Sequence, residues 1–339
     1  MQKLFVDSFI KDQAPNLGQS RPLLVQASDG DLYFIKNNFV RTNEGWINEN
    51  AVFFHEVLAH NMAKYLGIDV PDITILEIEN DIMTANSDLL FQKRYSPGLY
   101  FGTKKVNEVE DNLFENFLEL VRLKKPYMRR PWNQFFKDIQ NPEIVSSIIV
   151  MDLLLGNFDR FDNKGNLIIG KSEKGRMLYA IDHGHCFGGP VYDKTKESFL
   201  RSNIFNDSAE MNNYINSQLK LIIDIAQYYG GHRPFNLAGE VFKAIETHVH
   251  LENPDNHSFM EPIYLLETLD KRKLDDMLSD IPEEWLQNKL LQKDLYSEFI
   301  IRQAKLVRPM IERLTLWQAF SNYRGGALKW KSEIPTGTL

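Results

Sequence analysis

Cysteine is almost absent. Cys186 is the only one among 339 residues, so no disulfide can form within the chain, and a reducing, cytoplasmic setting is the expectation. Long apolar runs are missing too: none approaches the roughly 20 residues that a membrane helix needs. The opening Met1-Gln2-Lys3-Leu4-Phe5-Val6-Asp7 is too short and too soon charged to read as a secretory signal. There is no excess of positive charge. Lys and Arg number 39 against 46 Asp and Glu, for a formal charge of -7, which disfavours a dedicated nucleic-acid-binding surface. Local basic pairs such as Lys104-Lys105 and Arg129-Arg130 read as solvated surface. No internal repeat or low-complexity block occurs. Nor is there a G-x-x-x-x-G-K-[ST] phosphate loop, since Gly98-Leu99-Tyr100-Phe101-Gly102-Thr103-Lys104 has the wrong spacing and opens no helix. What remains is ordinary globular material, 43% hydrophobic and 25% charged, enough for one large or two moderate domains.

The first third reads as β-rich. Pro22–Ala27 and Leu32–Lys36 are short apolar runs on either side of Ser28-Asp29-Gly30-Asp31. An Asp-Gly pair in that position predicts a hairpin, because glycine accepts the positive φ of a tight turn. From about Asn50 the period turns helical, with Ala59, Ala63 and Leu66 on one face until Gly67 and Pro71 stop it. Ile73–Ile78 and Asp88–Lys93 predict two further strands, joined by a hairpin connection over Asn80–Ser87. Beyond about Glu108 helices dominate. One is expected from Pro142 to Leu155 with Asn141 as its cap, and another near Asn213–Tyr229. The organisation predicts a β-rich N-lobe with one helix over 1–95, joined near Arg94–Val106 to a helical C-lobe over 96–235, with a helical extension over 236–339. The fold class is α+β, and a nucleotide bound between lobes suits the split.

Within the helical region two short strands each carry an aspartate where the chain turns. Asp159 precedes Leu167-Ile168-Ile169, and Asp182 follows Leu178-Tyr179-Ala180-Ile181. Between the aspartates lies a loop that holds Asn163 and Asn166. Phosphoryl transfer calls for such a set: one carboxylate to orient the attacking hydroxyl, and a second carboxylate with an amide oxygen to hold magnesium. Asn166, next to the strand, is favoured over Asn163 as the metal ligand. Lys36, at the end of an apolar strand, can reach phosphate oxygens, and Glu56 in the following helix can hold its ammonium. Arg160 can pair with a carboxylate and fix the loop beside Asp159. Gly18-Gln19-Ser20, ahead of the first hairpin, can turn backbone N–H groups toward an anion. The pair His183 and His185 beside Asp182 also fits a metal-dependent hydrolase, the main rival from another class. Against it, no H-E-x-x-H occurs. Cys186, alone after a strand, reads as buried and inert.

Taken in order, these pieces resemble the HipA-like kinase family, the group related to bacterial HipA proteins and more distantly to phosphoinositide 3/4-kinases. The matching segments are Gly18-Gln19-Ser20-Arg21-Pro22, Asp29-Gly30 followed by Lys36, the helix with Glu56, Leu66-Gly67-Ile68-Asp69-Val70-Pro71, Gly156-Asn157-Phe158-Asp159-Arg160, Asn166-Leu167, Ile181-Asp182-His183-Gly184-His185 and Ile281-Pro282-Glu283-Glu284-Trp285. The resemblance implies a bilobal, protein-kinase-like fold with ATP and magnesium in the cleft. It further implies Lys36 on the phosphates with Glu56 as its partner, Asp159 as catalytic base, Asn166 and Asp182 on the metal, Gly18-Gln19-Ser20 over the phosphates, and a protein serine or threonine as acceptor. Two departures stand out. Phe161 holds a position where related families often have histidine, and Lys164 holds the usual position of the metal asparagine, as if the loop were two residues longer. A nucleotide-binding pseudokinase and a nucleotidyl transferase are the alternatives in the same cleft. The acceptor's identity, the oligomeric state and any regulatory partner lie beyond the sequence.

Overall fold

The computed structural model describes residues 1–10, 22–110, 135–161, 165–230 and 238–333. Five strands close into a barrel: β1 (Lys3–Ile10), β2 (Leu23–Ala27), β3 (Leu32–Ile35), and further along the chain β6 (Ile73–Ile78) and β7 (Gly98–Lys104), in the spatial order β1-β2-β3-β7-β6. The pairings are antiparallel except β1 with β6, which is parallel with Lys3 opposite Ile75. Alternation supplies the interior: Leu4 and Val6 of β1, and Thr74, Leu76 and Ile78 of β6, face in. Closure leaves no long open edge to template aggregation. The β2–β3 hairpin turns at Gly30 with φ of +85°, as the Asp-Gly pair predicts. Two ribbons stand apart, β4 (Phe39–Thr42) with β5 (Gly45–Asn48), and β8 (Leu167–Ser172) with β9 (Gly175–Ala180).

Helix α1 (Val52–Tyr65) follows the first ribbon. Eleven of its fourteen residues are buried, among them His55, Glu56 and His60. Two short helices, α2 (Asn80–Ala85) and α3 (Ser87–Lys93), come next, and then α4 (Ile144–Leu155), whose twelve residues are all buried. The rest is helical: α5 (Lys194–Phe199), α6 (Ser208–Gly230), α7 (Glu240–Ile245), α8 (Met260–Glu267), α9 (Lys271–Ser279) and the 25-residue α10 (Gln292–Leu316). The chain is thus α+β, β-rich first and helical later. No helix among the described residues is long and apolar enough to cross a membrane.

Three expectations change. Asp88–Lys93 is helix, not strand, and Asn80–Ser87 is no hairpin connection. The run Leu89-Leu90-Phe91 is too short to distinguish the two periods, and burial does not rescue the strand: Phe91 is 80% exposed. Asp88 in the first turn and Lys93 in the last suit a helix dipole. The strand that pairs with β6 is β7, which carries the barrel past residue 95 to Lys104. Finally, Asn141 makes no side-chain cap to α4. Its amide instead donates to Asp69 Oδ2 at 2.8 Å and to the Leu178 carbonyl at 2.9 Å, and accepts from the Leu178 N–H at 2.9 Å. That amide stitches β9 to the segment that follows α1.

Two measurements test these packing arguments. Asn141→Ala strips the Leu178 peptide group of a buried partner and should cost on the order of 2–3 kcal/mol in urea unfolding; a change below about 0.5 kcal/mol contradicts the role. Burial lowers His55 and His60 to about 3, helped by repulsion from Lys196 and Lys64 respectively. Unfolded, both take up protons near 6.5. Stability should therefore fall as pH drops from about 6.5 toward 3, by roughly 2 kcal/mol per histidine at pH 5. His60→Gln should remove about 2 kcal/mol of the difference between pH 7.5 and pH 5. An unchanged difference would show that His60 takes up its proton as readily in the folded chain as in the unfolded one.

Candidate functional site

Lys36 emerges from the end of β3, where its backbone N–H donates to the Phe101 carbonyl of β7 at 3.1 Å. Its side chain is 12% exposed and meets two carboxylates. Nζ donates to Glu56 Oε1, from α1, in a short contact, and to Asp182 Oδ1 at 2.7 Å. Glu56 is buried, but the Asp182 side chain is 43% exposed, so the cluster is closed on the helix side and open on the other. Burial works against the charge on Lys36, yet Asp182 and Glu56 more than offset it and hold its pKa above the usual lysine value. Glu56 stays far below the carboxylate range because Lys36 and His183 outweigh its own burial. Lys36 likewise draws Asp182 down. All three groups are ionised at neutral pH. Each of the three stands out in the sequence, and the fold brings them to one point across 146 residues.

The segment around Asp182 is held from several sides. Asp182 has a φ of +60°, a left-handed conformation that a non-glycine residue keeps only under outside constraint. The Ile181 N–H donates to the Asn166 carbonyl at 3.1 Å. The His183 N–H donates to Glu56 Oε1 at 3.2 Å, and its Nδ1 lies 3.6 Å from Glu56 Oε2. Gly184 lies so near α1 that a Cβ there would stand 2.4 Å from Val52 Cγ2. Farther on, the buried Lys196 ammonium donates to the Phe187 carbonyl and, at 2.6 Å, to that of Gly189. Asn50 exchanges two hydrogen bonds with the Tyr192 backbone. The two histidines diverge: His183 packs inward on Glu56, while His185 Nε2 sits 3.4 Å from Glu49 Oε1. No group of three or more His, Cys, Asp or Glu among the described residues is placed to bind a metal together. Cys186 is buried, as expected. His257 Nε2 donates to the Lys329 carbonyl at 2.8 Å and packs edge-on to Trp330, a structural role, and His232 lies outside the described residues.

Asp159 lies in a 3-10 turn, Phe158–Phe161, just beyond α4. Its side chain lies outside the described residues, as do Asn163 and Gly18-Gln19-Ser20. The neighbouring Arg160 is fully buried and does pair with a carboxylate. Its Nε donates to Asp152 Oδ1 at 3.1 Å, and Asn157 Nδ2 donates to the same oxygen at 3.1 Å. Arg160 Nη1 donates to the Asn166 carbonyl in a short contact and to the Ile181 carbonyl at 2.9 Å. One guanidinium thus ties the residue after Asp159, the residue before Asp182 and the candidate ligand Asn166, itself buried, into one knot. Phe161 fills core space edge-on to Phe242 at 5.2 Å, which accounts for an aromatic where related families often have histidine.

Asp152 and Glu49 join the site without having been expected there. A signal existed for Asp152, the one charged residue in Ile144–Leu155, because an ionised group in a fully buried helix needs a partner. Glu49 had no such signal. A cavity of about 530 Å³ lies elsewhere, lined by Val70, Asp72, Lys105, Glu108, Glu173 and Tyr179 among others, and by none of Lys36, Glu56 and Asp182.

The open face of the cluster presents a carboxylate, a hard oxygen donor suited to a divalent cation that keeps some of its waters, beside an ammonium suited to phosphate. Among solved structures, the chain is similar to the Helicobacter pylori proinflammatory kinase CtkA, at 15% identity and a TM-score of 0.49, covering 92% of this chain and 95% of that one. It is also similar to the Golgi casein kinase with Mn/ADP bound, at 11% identity and a TM-score of 0.37, covering 96% of this chain and 75% of that one. Among curated proteins, none matches. The family model for HipA-like kinases matches residues 9–221, more than half of the chain and all of the charged cluster. The chain belongs to the HipA-like kinase family.

Proposed function

We propose that the chain transfers the γ-phosphoryl group of ATP to a hydroxyl, with magnesium as the cation and a protein serine or threonine as acceptor. The observation that carries this reading is the cluster in which Lys36 bonds Glu56 and Asp182 at once. Phosphoryl transfer asks a protein mainly for positioning and for charge neutralisation at the phosphates. Lys36, held by Glu56, reaches the α- and β-phosphate oxygens. Asp182 and Asn166 hold the metal, which when bound neutralises charge on the phosphate oxygens. Asp159 orients the acceptor hydroxyl and takes its proton. The resemblance assigns Gly18, Gln19 and Ser20 to the phosphates, and Asn163 is the candidate for a further polar contact to the nucleotide. Family membership supports the reaction class, whereas the acceptor rests on the resemblance alone. The single buried cysteine supports a cytoplasmic setting.

Thermal shift and phosphate transfer with magnesium and ATP test the assignment on the full chain. At about 100 times the dissociation constant, ATP should add roughly 2.7 kcal/mol to stability. Asp182→Ala should lose the metal-dependent shift. Asp159→Ala should keep it and lose transfer by roughly 10²–10⁴-fold, the range for a general base. Transfer of AMP in place of phosphate would assign a nucleotidyl transferase, and tight ATP binding without turnover a pseudokinase. A zinc requirement without any ATP effect would end the reading.

A further inference from the structure

We infer that His55 and Tyr296 form a positioning pair that holds the Asp182 loop against α1, so that the C-terminal helix α10 takes part in setting the metal site. The inference rests on the functional reading above. His55, next to Glu56 on α1, is fully buried, with Nδ1 2.8 Å from the Gly184 carbonyl oxygen and Nε2 2.6 Å from the Tyr296 hydroxyl. A carbonyl only accepts, so Nδ1 carries the proton and, in the neutral ring, Nε2 accepts from Tyr296. Direction and tautomer are thereby settled: the Tyr296 hydroxyl donates to His55, and His55 donates to Gly184. Burial, reinforced by Lys196, keeps the ring neutral above about pH 3, and burial keeps the Tyr296 phenol protonated.

Two successive residues of α1 therefore grip two successive residues of the loop. Glu56 receives the His183 N–H, and His55 donates to the Gly184 carbonyl. The contact begins one residue beyond Asp182, which sits at positive φ and needs outside constraint. The far end of the relay is rigid. The Tyr296 ring packs on Phe54 at 4.6 Å, on Phe187 at 4.9 Å and parallel to Tyr192 at 6.3 Å. Phe187 and Tyr192 belong to the segment that follows Asp182, so Tyr296 touches the same stretch by packing and, through His55, by hydrogen bonding. Tyr296 lies in α10, beyond the residues 9–221 that carry the family match. Partners that orient ligand-bearing groups in this way are worth roughly 10–100-fold in metal affinity.

The test titrates magnesium at fixed ATP by calorimetry, measures ATP binding in EDTA alongside, and records melting curves, for wild type, Tyr296→Phe, His55→Phe and His55→Asn. Tyr296→Phe keeps the ring and removes the donor; it should raise the magnesium needed for half-saturation about tenfold and leave ATP binding in EDTA unchanged. His55→Phe should weaken magnesium binding at least as much. His55→Asn, whose amide can still donate to the Gly184 carbonyl but leaves the Tyr296 hydroxyl without its acceptor, should weaken magnesium binding about as much as Tyr296→Phe and less than His55→Phe. Folded Tyr296→Phe and His55→Phe with wild-type titrations overturn the inference. So does equal weakening with and without metal, which marks a purely structural pair. If His55→Phe does not fold, Tyr296→Phe and His55→Asn decide. Wild type that binds ATP with no magnesium dependence overturns the functional reading and the pair together.

Discussion

One ammonium shared by two carboxylates organises this molecule. Lys36 comes from the barrel, Glu56 from the helix packed beside it and Asp182 from a loop 146 residues on, and the ion pairs join all three. Charges buried this deeply do little for stability, since the cost of taking them out of water rivals their attraction. Removing one member is a different matter, because it leaves an uncompensated charge behind. The arrangement is better understood as a device for geometry. Glu56 is sealed in, its Oε1 accepting from both Lys36 and the His183 N–H, while Asp182 keeps an open side. An incoming polyanion with its cation can draw on Lys36 and Asp182 without disturbing the buried half.

A second buried pair does for the backbone what the first does for the charges. Asp152, fully buried in α4, holds Arg160, and Arg160 in turn holds the carbonyls of Asn166 and Ile181. The segments that carry Asp159, Asn166 and Asp182 are thus tied to one guanidinium fixed by one helix. Arginine suits the task because its planar fork can serve several acceptors at once and never loses its charge.

Much of this was legible where local pattern and tertiary demand agree. The Asp29-Gly30 turn and the period of α1 announce themselves, and Lys36, Glu56 and Asp182 could be named because each stands just beyond the end or on the face of a periodic element. Their mutual bonds could not be read, since no local signal tells which of two distant carboxylates will meet a lysine. The barrel was partly hidden for the same reason. β1 closes it by parallel pairing with β6, some 70 residues away, and an eight-residue alternation near the chain start carries no sign of its partner. α3 misled because Leu89-Leu90-Phe91 is apolar yet largely exposed. Asn141, in position to cap a helix, found better partners in Asp69 and Leu178. His183 and His185, adjacent in pattern, were drawn apart by Glu56 and Glu49, two carboxylates that only the fold brings near.

The most direct test of the account is a crystal structure of the full chain with manganese and a non-hydrolysable ATP analogue, the metal located by its anomalous signal. The account predicts manganese on the open side of Asp182, with Lys36 released to the phosphates and still bonded to Glu56. Manganese and triphosphate bound away from that cluster, as in the cavity beside Val70 and Tyr179, would contradict it.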